Sequence, residues 1–452
     1  MDAAYDVLII GGGPAGAAAA LTLAKRPELR VLLVDKARCR QSIVGESLSP
    51  GAGSLLKYLD VWQEFEAQFP LTQWGNLASW GSDEMQSMDF MNTVHGSGWS
   101  LARDRFDSML VEQAKDRGIE IEFGTQVSRL DTSSNGWDVA LKSLDSSQRQ
   151  VKARFVIDAA GRNSRWSLKG RSLRQRHDNL IGLATWLPKN GERSVPNMTH
   201  VEACSYGWWY AAPVSENRVV VALMTDSGIA RSSGFSSAEN WFHALSETQH
   251  IRSICDENCL VPFPEYRREP KVLPAFSSVQ VDHEPDLPIV AAGDAAASHD
   301  PLSSSGIPMS IATGIQSARV AAAWVLGNQN HKVTYQADIA ADFSNYLKSH
   351  WQIYRLENRF ANEPFWRYRQ AYLEMDPNHI VGNETPCTDS SLFVPAPLVR
   401  KMLVASRTPV PAHQLVRKLA NEHREVPEER IALAVQELRG ASRVLKREPA
   451  LT

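Results

Sequence analysis

The stretch Tyr5-Asp6-Val7-Leu8-Ile9-Ile10 runs straight into Gly11-Gly12-Gly13-Pro14-Ala15-Gly16. The apolar run reads as a buried strand, and the Ala-rich segment behind the glycines reads as a helix. A second apolar run, Val31-Leu32-Leu33-Val34, ends in Asp35 with Lys36 beside it. Strand, glycine turn, helix, strand and terminal acid, in that order, are what a dinucleotide phosphate requires. Gly11 permits the tight turn, Gly13 lets backbone approach a pyrophosphate, and Gly16 lets helix and strand pack closely. The helix opening at Pro14 and Ala15 offers amide hydrogens and a partial positive charge. Asp35 stands where a carboxylate meets ribose hydroxyls. Glycines alone would only reverse the chain; with the flanking elements they predict a site for an adenine dinucleotide.

Length and composition set the outer bounds. At 452 residues the chain has room for two or three domains. Its 43% hydrophobic and 22% charged content is that of a globular protein with a sizeable core. A net charge of -3 gives no global reason to expect nucleic acid or an acidic membrane surface. The five cysteines (Cys39, Cys204, Cys255, Cys259, Cys387) are scattered and odd in number. Cys255 and Cys259 would share a helix face, but no second ligand pair stands nearby, so they read as apolar fillers rather than a metal site. The first apolar stretch is strand-length and has no basic segment before it, which predicts neither a signal peptide nor a membrane span. A reducing, cytoplasmic location is the expectation.

Working outward, Ser100 to Leu110 contains Arg103-Asp104-Arg105-Phe106-Asp107, and Phe106, Leu110 and Val111 recur at helical spacing. Gly118 closes that helix. Strand-like stretches follow at 119–123, 127–130 (beginning at Val127) and 137–141, the last two joined by the hairpin signal Ser133-Ser134-Asn135-Gly136. Phe155-Val156-Ile157-Asp158-Ala159-Ala160-Gly161 returns to the buried-strand pattern, as does Leu287 to Ala292 with its sharp exit Gly293-Asp294. Pro301 and Gly306 precede a small-residue helix over 307–326.

On these motifs the chain resembles the FAD-dependent aromatic monooxygenases and the related flavin-dependent halogenases, over roughly its first 345 residues. The resemblance implies an α/β, Rossmann-like FAD-binding fold of the p-hydroxybenzoate hydroxylase kind. It adds an antiparallel β-sheet substrate domain and, here, a C-terminal helical extension. It divides the chain into a discontinuous FAD-binding domain (1–75, 96–170, 274–344), a substrate sheet (76–95, 171–273) and the extension (345–452). Arg103 should reach the flavin diphosphate; the residue types equally allow an ion pair with Asp107. Asp294 should accept from the ribityl chain, or else cap a helix. The helix beginning at Gly306 and Ile307 should aim its N-terminus at the isoalloxazine, where its dipole stabilises the negative charge of reduced flavin. Glu46 and Ser47 lie in a segment that runs along the cofactor in the family, although Glu46 also suits a helix-opening position before Pro50. His299 and Asp300 are the titratable candidates for handling a ring proton, against a solvated histidine and a turn-capping aspartate.

Residues also bear on the reaction. The halogenase relatives carry a lysine on an early pocket strand and a glutamate in a Pro-Leu-Glu-Ser-Thr-Gly-like segment. This chain has Leu71 to Trp80 without lysine, and Pro301-Leu302-Ser303-Ser304-Ser305-Gly306 with Ser303 at the acid's place. Hydroxylation by FAD and O2 asks less of the protein. No second glycine motif marks an NAD(P)H domain, which implies a transient nicotinamide donor; the family's Asp-Gly pair reads Ala160-Gly161, which leaves a separate reductase as the other electron source. Tyr206 to Pro213 and Val219 to Asp226 resemble the flavoproteins that mature tryptophylquinone enzymes, of the type serving quinohemoprotein amine dehydrogenase. Trp208, Trp209 and Tyr210 are the candidate substrate pocket or a sheet core, with alternation turning Trp209 away from the other two. The expected substrate is a tryptophan in a precursor polypeptide. The alternatives are a small phenolic or indolic metabolite, a halogenase, which the missing lysine and glutamate disfavour, or a scaffold without turnover. Predicted helices at 398–404, 412–421 and 428–438 would then dock the polypeptide. Neither nucleic acid nor membrane is an expected partner.

Overall fold

The computed structural model describes residues 3–38, 44–68, 70–89, 96–169, 172–188, 197–215, 217–257, 268–281, 286–370, 380–382, 394–405, 410–424, 426–428, 430–432, 434–435 and 445–447. It divides into two compact units, Met1–Cys204 with Trp208–Lys348, and Ser205–Gly207 with Ser349–Thr452.

The first unit is built on a sheet ordered Glu120–Phe123, Val31–Asp35, Ala3–Ile10, Gln148–Asp158, Gly136–Ser143, Thr125–Ser133. The first four strands run parallel, and Ile289–Ala291 joins the C-terminal half of Gln148–Asp158 in the same sense. Parallel strands lie buried on both faces, which is why Val7 to Ile10 and Val31 to Val34 read as unbroken apolar runs. Leu8, Val34, Trp137, Val139, Leu141, Val156 and Ile289 pack into one core cluster. The hairpin Ser133–Gly136 forms where the turn residues place it. Two helices cover the glycine-turn side, Pro14–Leu23 and Gly306–Val325.

A second, seven-stranded sheet carries the aromatic segments. Its order is Lys271–Pro274, Leu180–Pro188, Arg218–Asp226, Gly207–Ser215, Met198–Cys204, Gly75–Ser79, Gln86–Asp89. The expected antiparallel strands are there, but Gly75–Ser79 adds to Met198–Cys204 in parallel. Helix Ala238–Ser246, capped by Ser237, backs this sheet through Trp241, whose indole N–H donates to the Leu183 carbonyl at 2.9 Å. Glu202 accepts from the amides of Gln249, His250 and Ile251 and so anchors the start of the helix His250–Glu257. Cys255 is buried on that helix, and burial pushes its thiol up to about 12, which fits an apolar filler.

Helix Asn330–Leu356 is one continuous 27-residue element. In the second unit Tyr354, Phe365 and Trp366 are fully buried, with the Arg369 guanidinium 3.8 Å from the Phe365 ring centre. Helices Ala396–Ala405 and Ala412–Glu422 match the sequence reading and bury Leu398, Val399, Met402, Leu415, Val416 and Leu419. The expected helix over 428–438 falls partly outside the described residues, as do Cys39, Cys259 and Cys387 entirely. Among the described residues no helix is long and apolar enough to cross a membrane.

Candidate functional site

The glycine turn shows three separate physical demands. Gly11 has φ +100, and a Cβ there would lie 2.5 Å from the Ala159 carbonyl oxygen. A Cβ on Gly16 would lie 1.8 Å from the Gly11 oxygen. At Gly13, by contrast, a Cβ would meet nothing within 4 Å. The first two glycines are therefore required by the fold, while the third faces open space at the start of helix Pro14–Leu23. Gly13 is the N-cap of that helix and provides no side-chain cap, so its first amides are left for another acceptor. Asp35 is buried at the end of its strand and takes the Gly12 and Ala37 amides, each at 2.7 Å. Lys36 is exposed. Val127 packs its side chain into the sheet's apolar core with Leu8 and Val34, so the cofactor role expected of it cannot fall to that side chain.

The second strip of the site is the 45–47 segment beside helix Arg103–Asp116. Arg103 forms a two-point ion pair with Asp107, Nε to Oδ1 at 3.1 Å and Nη2 to Oδ2 at 2.9 Å, both side chains buried. Its Nη1 donates to the Gly45 carbonyl at 3.3 Å. Arg103 is thus committed to the ion pair with Asp107, while Nη1 ties it to the 45–47 segment. Glu46 is 3% exposed and accepts from the Gly45 amide at 2.9 Å. Burial raises its carboxyl above the usual 4.5, against the opposing pull of nearby amides and Arg103. The next helix opens at Ala52 with Gly51 as its cap, so Glu46 does not open it. Ser47 donates to Gln73, which in turn donates to Thr199 of the second sheet.

Gly293 has φ +60, and a Cβ there would lie 2.8 Å from that of Ala15, so the Gly293-Asp294 turn is pressed against the opening of the first helix. Thr313 fixes the turn by accepting the Gly293 amide at 2.8 Å. Asp294 lies in a short 3-10 turn, partly exposed, and forms an ion pair with Arg162. Asp300 accepts the Leu302 amide at 2.9 Å and caps the turn Pro301–Ser303, so it is a capping residue and not a free base. His299 is 8% exposed: it stacks on Tyr346 at 4.0 Å and 6°, and its Nδ1 bonds Ser305 Oγ at 2.9 Å. Ser305 is the uncapped N-cap of helix Gly306–Val325, and Ile307 is buried in its first turn.

In the second sheet Trp208 and Tyr210 share a face, ring centres 6.1 Å apart. Trp209 lies on the other face against Trp241 at 5.0 Å. The three aromatic residues therefore do not line one pocket: Trp209 belongs to the packing between sheet and helix, as strand alternation requires. Burial, and then the negative charge of Glu46, push the Tyr210 phenol well above its usual range.

Several contributors were not legible in the sequence. Asp158 is fully buried and gathers Ala160 N, Ser164 Oγ, and Ser167 N and Oγ, which folds the loop after its strand. Arg162, one residue past Gly161, and Arg174 tie that loop to the Gly293 turn. Tyr346 stacks on His299 and accepts the Asp300 amide. For Asp158 and Arg162 the sequence signal was the polar character of 158–167 after an apolar strand; Arg174 and Tyr346 had none.

Two uncapped helix N-termini, an open glycine position and a buried strand-end carboxylate make a cradle for an extended anionic dinucleotide. A family model described as FAD binding domain matches residues 4–333. The chain belongs to this family. Among related members of the FAD-binding family, LodB of Marinomonas mediterranea, an FAD-dependent oxidoreductase by name, is 31% identical over 81% of this chain and 97% of its own. The flavin-dependent halogenase armH3 of Armillaria mellea is 27% identical over 72% of this chain and 68% of its own. Among solved structures, the myxobacterial chondrochloren halogenase CndH superposes with a TM-score of 0.74 at 20% identity, covering 83% of this chain and 87% of that one. The peptidyl tryptophan dihydroxylase QhpG gives 0.66 at 20% identity, covering 94% and 97%. Hydroxylases and halogenases share this FAD-binding fold, and the protein is an FAD-dependent oxidoreductase of that class.

Proposed function

We propose that this protein is an FAD-dependent monooxygenase that hydroxylates the ring of a tryptophan side chain in a precursor polypeptide, a step of tryptophylquinone biogenesis. The observation that carries the reading is Ser303. It stands where the halogenase relatives carry a glutamate, and its hydroxyl donates to the Asp300 carbonyl at 2.8 Å and bonds Ser305 at 2.7 Å. An electrophilic halogen needs an amine or an acid to carry or polarise it, and a serine committed to its own turn is neither. QhpG adds support, because its likeness extends over 94% of this chain, into the C-terminal region. When bound, reduced FAD supplies the two electrons with which O2 yields one oxygen atom to the ring and one to water. NAD(P)H, or a separate reductase, provides them. The chain's own residues hold and screen: the amides at Gly306 face developing negative charge, and the buried Trp208 and Tyr210 exclude water. On this reading His299, which stacks on Tyr346 and bonds Ser305, takes the ring proton.

The test is co-production with a candidate precursor polypeptide, followed by intact mass. A gain of one or two oxygen atoms is the expected outcome. A halide-dependent gain of chlorine or bromine would establish the halogenase reading that the curated relatives favour. Turnover of a free indole or phenol with an unmodified polypeptide would replace the substrate, and tight binding without turnover would leave a scaffold.

A further inference from the structure

Three loops that meet around Asp294 are cross-tied by two arginines. Arg162 Nη1 donates to the Pro274 carbonyl at 2.5 Å and Nη2 to the His299 carbonyl at 3.2 Å, and Nη2 also lies 3.3 Å from Asp294 Oδ2 as an ion pair. Arg174 reaches from the strand Leu173–Arg176 and holds Arg162's own carbonyl with Nη1 and the Ala295 carbonyl with Nη2, the latter at 2.6 Å. The Nε atoms of both arginines are buried without a hydrogen-bond partner. Two guanidiniums are costly to desolvate side by side, and burial pulls the second of them below its usual range. Packing alone does not require that cost, since an apolar pair of the same volume would fill the space more cheaply. The arrangement has a purpose only if the carbonyls and the carboxylate it fixes must stand in one orientation.

The orientation that results favours Asp294. Arg162 Nη2 stands 3.3 Å from Oδ2, and the carboxylate is one-third exposed, one residue past the Gly293 that abuts Ala15. Its other oxygen has no hydrogen-bond donor among the described residues and remains available as an acceptor. We propose that Arg162, backed by Arg174, is the positioning residue that sets Asp294 and the 293–299 turn for FAD. In its absence the carboxylate would swing and would stand uncompensated next to an anionic cofactor. The proposal rests on membership of the FAD-binding family and is independent of which ring the enzyme oxidises.

The experiment measures the FAD dissociation constant on apoprotein for wild type, R162Q, R162K, D294N and R162Q/D294N, together with apoprotein melting. R162Q should melt somewhat below wild type, because the Pro274 and His299 carbonyls lose their donor, and should bind FAD about ten- to a hundredfold more weakly, because Asp294 also loses its cation. R162K should recover little, because an ammonium cannot span three acceptors as a planar fork does. In the D294N background R162Q should cost less than in wild type, since the group it positions is already altered. Wild-type FAD affinity in R162Q overturns the proposal, as does full additivity with D294N. If R162Q does not fold, R162K decides: a dissociation constant within twofold of wild type overturns the proposal, and a larger one supports it.

Discussion

The glycines of the turn have opposite tolerances, although all three belong to one motif. A Cβ at Gly16 would collide with the Gly11 carbonyl at 1.8 Å. Gly16→Ala should therefore cost more than about 4 kcal/mol or prevent folding, as measured by denaturant unfolding of the apoprotein. Gly13→Ala meets open space at an ordinary φ of -66 and should leave apo stability within about 0.5 kcal/mol while abolishing FAD retention. Glu46 gives a second residue-scale test. Its folded carboxyl holds its proton above the ordinary 4.5, so the folded state binds more protons than the unfolded chain above that pH. Stability is then full at low pH and declines as pH rises through the folded value. Glu46→Gln should stabilise the apoprotein by about 1–3 kcal/mol at neutral pH, with the gain vanishing below about pH 4.5. A pH series of unfolding midpoints measures both limbs.

At the scale of elements, helices Pro14–Leu23 and Gly306–Val325 approach each other closely in the first unit. A Cβ on Gly314 would lie 2.2 Å from the Ala15 carbonyl, so helix Gly306–Val325 packs against Pro14–Leu23 backbone to backbone. Gly314→Val should force the helices apart, move both N-termini, and lower the melting temperature together with FAD affinity. An effect on melting alone would mean that the helices do not act as one unit. These elements were legible because their periodicity and their turn residues are local. The strand at 5–10, the helix at 103, the hairpin at 133–136 and the helix at 307 all announce themselves within a few residues. Gly75–Ser79 was not legible as a parallel neighbour of Met198–Cys204, because pairing across more than a hundred residues leaves no local trace. Alternation did separate Trp209 from Trp208 and Tyr210, but not which face would meet Trp241.

For the molecule as a whole, the sequence carried the cofactor better than the site around it. Gly11 and Gly16 are demanded by close backbone approach and Gly293 by its contact with Ala15, and such demands are written in short motifs. Arg162, Arg174 and Tyr346 act through carbonyls and rings that other loops deliver, so their roles appear only after folding. Asp300 and Asp107 show the converse: residues whose chemistry suggests catalysis or freedom are used to cap a turn and to hold Arg103.

The strand-end carboxylate has one more consequence. Asp35 is gripped by two backbone amides at 2.7 Å and cannot rotate aside. A fixed anion there tolerates a sugar diol and repels a phosphorylated one. A dinucleotide carrying a 2′-phosphate would therefore compete poorly, beside this carboxylate, with one whose ribose diol is free.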